Sequence, residues 1–114
     1  MTITERQLGT ITVLSVSGKV TLEQSGRLKA KVTSAFEAGH RQIVLDLGGV
    51  TYIDSSGLGE LVSCHTTAVR NQGAIKLASL GARSKDLLVM TKLIMVFDVY
   101  DNEAAAIASF AQPA

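Results

Sequence analysis

The chain has 114 residues, of which 46% are hydrophobic and 18% are charged, and this composition is typical of one globular domain. No stretch approaches the roughly 20 apolar residues that a membrane-spanning helix requires, so we predict no membrane segment. The 11 basic and 10 acidic residues give a net charge of +1, and the basic residues form no run, which argues against direct binding of nucleic acid.

The first ten residues, MTITERQLGT, contain neither a secretory signal nor an amphipathic targeting sequence. Cys64 is the only cysteine, so an internal disulfide cannot form. One cysteine and two dispersed histidines do not make a metal site. We therefore predict a cytoplasmic protein that has no metal and no cofactor of its own.

The first part of the chain predicts a β-hairpin followed by a helix. A short strand over residues 2–8 turns at Gly9 into a strand over residues 11–18, in which hydrophobic and small polar residues alternate. Apolar residues then recur at helical spacing over residues 28–36. Gly39 can end this helix in the left-handed conformation.

The rest of the chain alternates strands with helices. Residues 43–47 are short, β-branched and nearly all apolar, which predicts a central strand covered on both faces. Gly48 and Gly49 are expected to loosen the chain before residues 50–53. The later elements are predicted as a helix over 55–72 stopped by Gly73, a strand over 74–80, a helix over 82–91, a β-rich run over 94–100, and a helix capped by Asp101 or Asn102 that reaches about Phe110.

This order of elements predicts an α/β sandwich: a single domain with a mixed β-sheet of about five strands and about four α-helices. We place the domain at residues 1–112 and a tail at residues 113–114. The apolar residues Ile94, Met95 and Phe97 fit either the core or the surface of a homodimer, so the oligomeric state stays open.

Residues 50–59 read VTYIDSSGLG and place Asp54, Ser55 and Ser56 at the start of the second predicted helix. An oxygen there can accept a hydrogen bond from an unpaired amide of the first turn. A phosphate added to a hydroxyl there would lie near the positive end of the helix dipole. Capping alone would select the same residues, so a cap and a modification site both remain open.

The helical periodicity separates two faces of this second helix. The residues predicted to face the core are Leu58, Leu61, Val62, His65 and Val69. Those predicted on the opposite flank are Ser56, Gly59, Ser63 and Arg70. Three of these four flank residues are small, so they would leave a shallow surface over which another protein could lie.

The run IVLDLGGVTYIDSSGLGEL, residues 43–61, resembles the central motif of the STAS domain, which anti-sigma factor antagonists share with the cytosolic tails of sulfate transporters. The segment Gly18-Lys19-Val20 resembles an early turn of that family, and residues 91–93 are similar to a family segment before the last strand. The order of elements from about residue 3 to 110 also matches. The resemblance implies the STAS fold.

The resemblance to anti-sigma factor antagonists implies a switch between partners. In that family the second serine of the motif is phosphorylated by an anti-sigma factor that is itself a serine kinase using ATP and magnesium. The unphosphorylated antagonist binds that kinase and frees the sigma factor, and a serine phosphatase resets the system. Carried onto this chain, the resemblance implies Ser56 as the phosphorylated residue, with Ser55 as the alternative, Asp54 and Ser55 shaping the turn, and Gly57 allowing close approach. Together with the small flank residues of the second helix, this predicts a partner-binding surface formed by Asp54, Ser55, Ser56, Gly57, Gly59 and Ser63.

Other functions remain as alternatives. A non-switching STAS scaffold or sensor module would use the serines only as helix caps, and a transporter tail is disfavoured because the chain has no membrane segment. An enzyme with Ser55 or Ser56 as nucleophile would lack both the Gly-x-Ser-x-Gly elbow and an adjacent base. We expect a binding protein rather than an enzyme.

Thr21 stands where the family commonly carries an acidic residue, which bears on the choice of kinase.

Overall fold

The computed structural model describes residues 1–111. The predicted domain end at residue 112 and the predicted tail at residues 113–114 lie outside the described residues. The elements follow in the order β1 (Thr2–Leu8), β2 (Ile11–Val20), α1 (Arg27–Glu37), β3 (Gln42–Ile53), α2 (Ser55–Arg70), β4 (Ala74–Ala78), α3 (Ala82–Met90), β5 (Asp98–Tyr100) and α4 (Glu103–Ser109).

The five strands form one mixed sheet in the order β1-β2-β3-β4-β5. β1 and β2 are antiparallel and form a hairpin, and its turn uses Gly9 at a φ of +62°, a conformation that glycine adopts without strain. The other neighbouring strands are parallel. The α/β class, the mixed sheet and the number of strands and helices confirm the prediction from sequence.

The connections between parallel strands determine the layers. α1, α2 and α3 each link one parallel strand to the next in the sheet, and crossovers of one hand leave all three helices on the same face. The larger hydrophobic core lies between that face and these helices and includes Leu45, whereas Val44 belongs to a smaller cluster with Ala106 of α4. Both faces of β3 are therefore covered there, as its apolar run predicts.

β3 differs from the prediction because it continues through Gly48 and Gly49 to Ile53. β2 keeps pairing with this second half of β3, with two shifts of register. A β-carbon on Gly49 would lie 2.7 Å from that of Ser17, so glycine allows the two strands to close at the irregularity. The glycines thus permit pairing where we expected them to loosen the chain.

The predicted β-rich run over residues 94–100 is a strand only from Asp98 to Tyr100. A 3₁₀ turn, Leu93–Met95, occupies its start. Phe97 is buried and Ile94 packs against the larger core, whereas Met95 is 84% exposed. A turn explains this pattern because it brings residues three or four positions apart to one side.

α1 agrees with the prediction: it spans Arg27–Glu37 after a 3₁₀ turn, Leu22–Gln24, and Gly39 beyond its end has a φ of +95°. The end of α2 differs from the prediction. α2 ends at Arg70, and Gln72, not Gly73, takes the left-handed conformation at a φ of +58°. Gly73 has another role: a β-carbon there would lie 2.5 Å from the Phe36 ring, so glycine allows close packing.

The ends of β2 and β3 bring the predicted site residues together. Val20 pairs with Ile53 at the carboxyl ends of both strands, so the segment that follows β2 lies beside the start of α2. β4 stops earlier, since its pairing with β3 ends at Asp46 and Ala78. In α/β sheets this carboxyl edge is the usual place for binding sites.

Candidate functional site

Asp54 is the N-cap of α2. Its Oδ1 accepts a hydrogen bond from the Gly57 amide at 2.8 Å, and its Oδ2 accepts one from the Leu22 amide at 3.1 Å. One carboxylate therefore caps the helix and ties it to the segment after β2. Ser55 and Ser56 are the first two helical residues, and the capping acceptor is Asp54, not a serine hydroxyl.

Gly57 is buried where the first turn of α2 crosses the end of β2. A β-carbon there would lie 2.2 Å from the carbonyl oxygen of Val20 and 3.0 Å from Ile53 Cγ2. Any side chain would force the helix away from the sheet. Gly57 therefore permits a close contact inside the domain, between the start of α2 and the end of β2.

Ser56 lines a shallow depression of about 340 Å³ between α2 and the start of α1, which we call the Ser56 depression. Its other lining residues are Leu22, Ser25, Gly26, Lys29, Gly59, Glu60 and Ser63. Ser56 itself is half-buried, whereas Ser55 is exposed. Three of the six residues expected in the partner surface, Ser56, Gly59 and Ser63, therefore share this depression, while Asp54, Ser55 and Gly57 lie outside its lining.

Glu60 is a site residue that the sequence analysis missed. The residue is only 9% exposed, and its two carboxylate oxygens accept hydrogen bonds from the Gly26 and Lys29 amides, each at 2.9 Å. Gly26, the N-cap of α1, has no side-chain acceptor of its own, so Glu60 caps α1 from the neighbouring helix. The signal in the sequence is an acidic residue between Leu58 and Leu61 on an otherwise uncharged stretch of α2.

The core face of α2 is rotated from its predicted position. Leu58 and Leu61 are buried as predicted, but Val69 is 62% exposed, and Cys64 and Ala68 fill the core instead. α2 packs against both the sheet and α1, so its buried face is wider and displaced toward α1. A periodicity analysis that assumes a single contact surface does not anticipate this second contact.

The thiol of Cys64 and the imidazole of His65, both on α2, bear on the chemistry available near Ser56. Burial, followed by the charge of Glu60, raises the pKa of the Cys64 thiol to about 12, which keeps it protonated. His65 stacks edge-on against Phe97 at 5.5 Å and lies nine residues beyond Ser56, about 14 Å along the helix. No group of three or more potential metal ligands occurs within residues 1–111.

Two exposed hydrophobic side chains flank this end of the domain. Leu22, in the lining of the Ser56 depression, is 67% exposed, and Tyr52, near the end of β3, is 53% exposed. Exposed apolar groups beside small polar residues are a common feature of protein-binding surfaces. None of the helices within residues 1–111 combines the length and the hydrophobicity needed to cross a bilayer.

The family model of the STAS domain matches residues 2–106. The chain belongs to the STAS domain family. The match covers all five strands and the whole Ser56 depression, so the resemblance of residues 43–61 to the STAS motif is confirmed at the level of the family.

Two of the similar proteins are named as candidate anti-sigma factor antagonists. BtrV of Bordetella bronchiseptica, named as a candidate anti-sigma factor antagonist, is 26% identical over 110 residues, which are 96% of this STAS chain and 95% of BtrV. A Thermotoga maritima structure named in the same way aligns with a TM-score of 0.89 at 22% identity, over 96% of this chain and 95% of the other.

The anti-sigma factor antagonist SpoIIAA has solved structures in two states. The unphosphorylated form aligns with a TM-score of 0.76 at 17% identity, over 98% of this chain and all of SpoIIAA (100%). The phosphorylated form, from Bacillus, aligns with a TM-score of 0.73 at 16% identity, over 96% of this chain and 99% of the other. At these identities the structural alignments establish the STAS fold.

Proposed function

We propose that this STAS domain is an anti-sigma factor antagonist of a bacterial partner-switching system. Unphosphorylated, it binds an anti-sigma factor that is a serine kinase, and this binding frees the sigma factor. Phosphorylation of Ser56 releases the antagonist, and a serine phosphatase restores it. The observation that carries the proposal is the Ser56 hydroxyl, half-buried in a depression of small residues on a helix that Asp54 already caps.

The chemical step belongs to the partner. The kinase holds ATP and magnesium and transfers the γ-phosphoryl group to Ser56 Oγ; the serine proton leaves and ADP is released. The domain supplies the acceptor hydroxyl, and Glu60, the one carboxylate that lines the Ser56 depression, already accepts hydrogen bonds from two backbone amides. We therefore class it as a cytoplasmic binding protein rather than an enzyme, with no cofactor of its own.

The preference for Ser56 over Ser55 rests on position. Ser56 shares the depression with Gly59 and Ser63, so a partner that covers this surface reaches its hydroxyl. Ser55 is exposed but outside the lining. Capping, which a non-switching module would require of these serines, is performed by Asp54. This division of roles supports Ser56 as the acceptor and leaves Ser55 as the alternative.

The electrostatics of the depression favour release after phosphorylation. A phosphoserine adds about −1.5 to −2 charges. The first turn of α2 tolerates that charge, but Glu60 lies one helical turn further along the same flank and is itself an acid. A partner surface that fits the neutral serine would meet uncompensated negative charge, and a loss of about 3 kcal/mol lowers affinity by about two orders of magnitude.

The docking surface we propose has an apolar anchor and a flat centre. Leu22 protrudes beside Ser56, and the small residues Ser25, Gly59 and Ser63 let a partner approach the helix closely. A β-carbon on Gly59 meets no atom within 4 Å, so this position is open to a partner. Thr21, in place of the family's usual acid, bears on which kinase recognises the surface.

Titration calorimetry with the anti-sigma kinases of the same organism tests the docking surface. Gly59→Arg places a long side chain over the depression and is expected to weaken kinase binding at least about 100-fold, a loss typical of a blocked interface centre. Ala104→Arg, at an exposed site of α4 on the opposite face of the sheet, is the matched control and should bind as the wild type does. Equal affinity of Gly59→Arg and the wild type for a kinase would exclude this surface.

A further inference from the structure

A second concave site lies at the same edge of the sheet, between the end of β3 and the start of α3. It has a volume of about 520 Å³, within the usual range for sites that bind small molecules. It exists because β3 runs on to Ile53, whereas its pairing with β4 stops at Asp46. None of its lining residues belongs to the Ser56 depression, so the site is separate from the proposed switch. We call it the α3 cavity.

The two ends of the α3 cavity have different chemistry. Val50, Ile53 and Leu87 give it an apolar wall, and the first turn of α3 forms the other end. Arg83 is the one charged residue of the lining. An arginine in the first turn adds positive charge where the helix dipole is already positive, so this end favours an anion.

The first turn of α3 has unused hydrogen-bond donors. Its N-cap, Gly81, offers no side-chain acceptor, so the amides of Ala82, Arg83 and Ser84 have no partner within the helix. Unlike α1 and α2, which are capped by Glu60 and Asp54, α3 receives no carboxylate.

Ser84 provides independent evidence for a ligand. Ser84 as a whole residue is only 8% exposed; it lines the α3 cavity, and its side chain forms no hydrogen bond with another residue of the described 1–111. Fully enclosed side-chain oxygens and nitrogens in this part of the chain all have partners. Because no fully enclosed atom is left unpaired, the unpaired Ser84 hydroxyl is itself accessible, and the α3 cavity is the space that it reaches.

We propose that the α3 cavity binds a small amphipathic carboxylate. The carboxylate group accepts hydrogen bonds from the α3 amides and the Ser84 hydroxyl and pairs with Arg83, while the alkyl or aryl part contacts Val50, Ile53 and Leu87. A ligand with charge but no apolar part would leave the apolar wall uncovered. An uncharged apolar ligand would leave the hydrogen-bond donors of α3 unpaired.

The test is a titration of the ¹⁵N-labelled protein with sodium octanoate, followed by amide chemical shifts. We expect saturable shifts centred on residues 50–53 and 81–87. Sodium acetate, which has the charge without the tail, and 1-octanol, which has the tail without the charge, should each bind at least about fivefold more weakly. Arg83→Gln should weaken octanoate binding about three- to tenfold without changing octanol binding, whereas Arg70→Gln, at an exposed site of α2, should leave both unchanged.

Several results would overturn the proposal. Shifts that do not saturate, or that centre outside the cavity, would exclude a site for this ligand class. Equal binding of octanol and octanoate, or an unchanged affinity in Arg83→Gln, would exclude recognition of the carboxylate. Because Arg83 is exposed and forms no ion pair within residues 1–111, the variant is expected to fold normally. The outcome does not depend on whether Ser56 is phosphorylated.

Discussion

The Glu60 carboxylate joins the two helices that border the Ser56 depression. It is buried, and both of its oxygens accept backbone hydrogen bonds from the start of α1. Glu60→Gln replaces one carboxylate oxygen, which accepts a hydrogen bond, with an NH₂ group that faces a backbone N–H donor. We expect the free energy of unfolding to fall by about 1–3 kcal/mol, because a buried donor loses its partner.

Urea denaturation measures this loss, and Glu37→Gln is the control, since Glu37 is an exposed glutamate at the end of α1. The control should stay within about 0.5 kcal/mol of the wild type. Equal stability of the two variants would show that Glu60 does not hold α1 and α2 together.

The role of Glu60 also illustrates what sequence can reveal at the scale of single residues. Asp54 is predictable as a cap, because it directly precedes the helix that it caps. Glu60 caps a helix that begins 33 residues earlier, so no local pattern records the contact. Such a pairing becomes visible only when the packing of α1 against α2 is known.

The first five residues of α2 include two glycines with opposite requirements. Gly57 touches the end of β2, and a β-carbon would lie 2.2 Å from the Val20 carbonyl oxygen, whereas Gly59 faces open space. Gly57→Ala should therefore lower the free energy of unfolding by about 1–3 kcal/mol through overpacking. Gly59→Ala should raise it by about 0.5–1 kcal/mol, because alanine favours helix over glycine.

Thermal or urea unfolding of the two alanine variants gives the comparison directly, and each variant serves as the control for the other. The two variants are expected to change the free energy of unfolding in opposite directions. Destabilisation of similar size in both would mean that the first turn of α2 does not rest on β2 in the way described.

The elements themselves were predictable to different degrees. The hairpin and α2 follow from alternation and from helical periodicity, and both lie close to their predicted bounds. The prediction of a β-rich run over residues 94–100 is wrong at its start, because its apolar residues suit both a strand and a turn that points them inward. The continuation of β3 through Gly49 depends on pairing with β2, which is a non-local contact.

In the molecule as a whole, the alternation of strands and helices was enough to predict an α/β sandwich with a mixed sheet of five strands. The Ser56 depression was predictable in part, because the small residues Ser56, Gly59 and Ser63 share one flank of α2. Its other wall, with Leu22 and Lys29, comes from α1 and the segment before it. The α3 cavity was not predictable, since it depends on where β4 stops relative to β3.

Intact-mass analysis after incubation with ATP, magnesium and an anti-sigma kinase that binds the domain shows whether Ser56 is the switch. We expect one phosphoryl group on the wild type and on Ser55→Ala, none on Ser56→Ala, and loss of kinase binding by the phosphorylated protein. Phosphorylation of Ser56→Ala, or no transfer from a kinase that binds the wild type, would contradict the assignment of Ser56 as the switch.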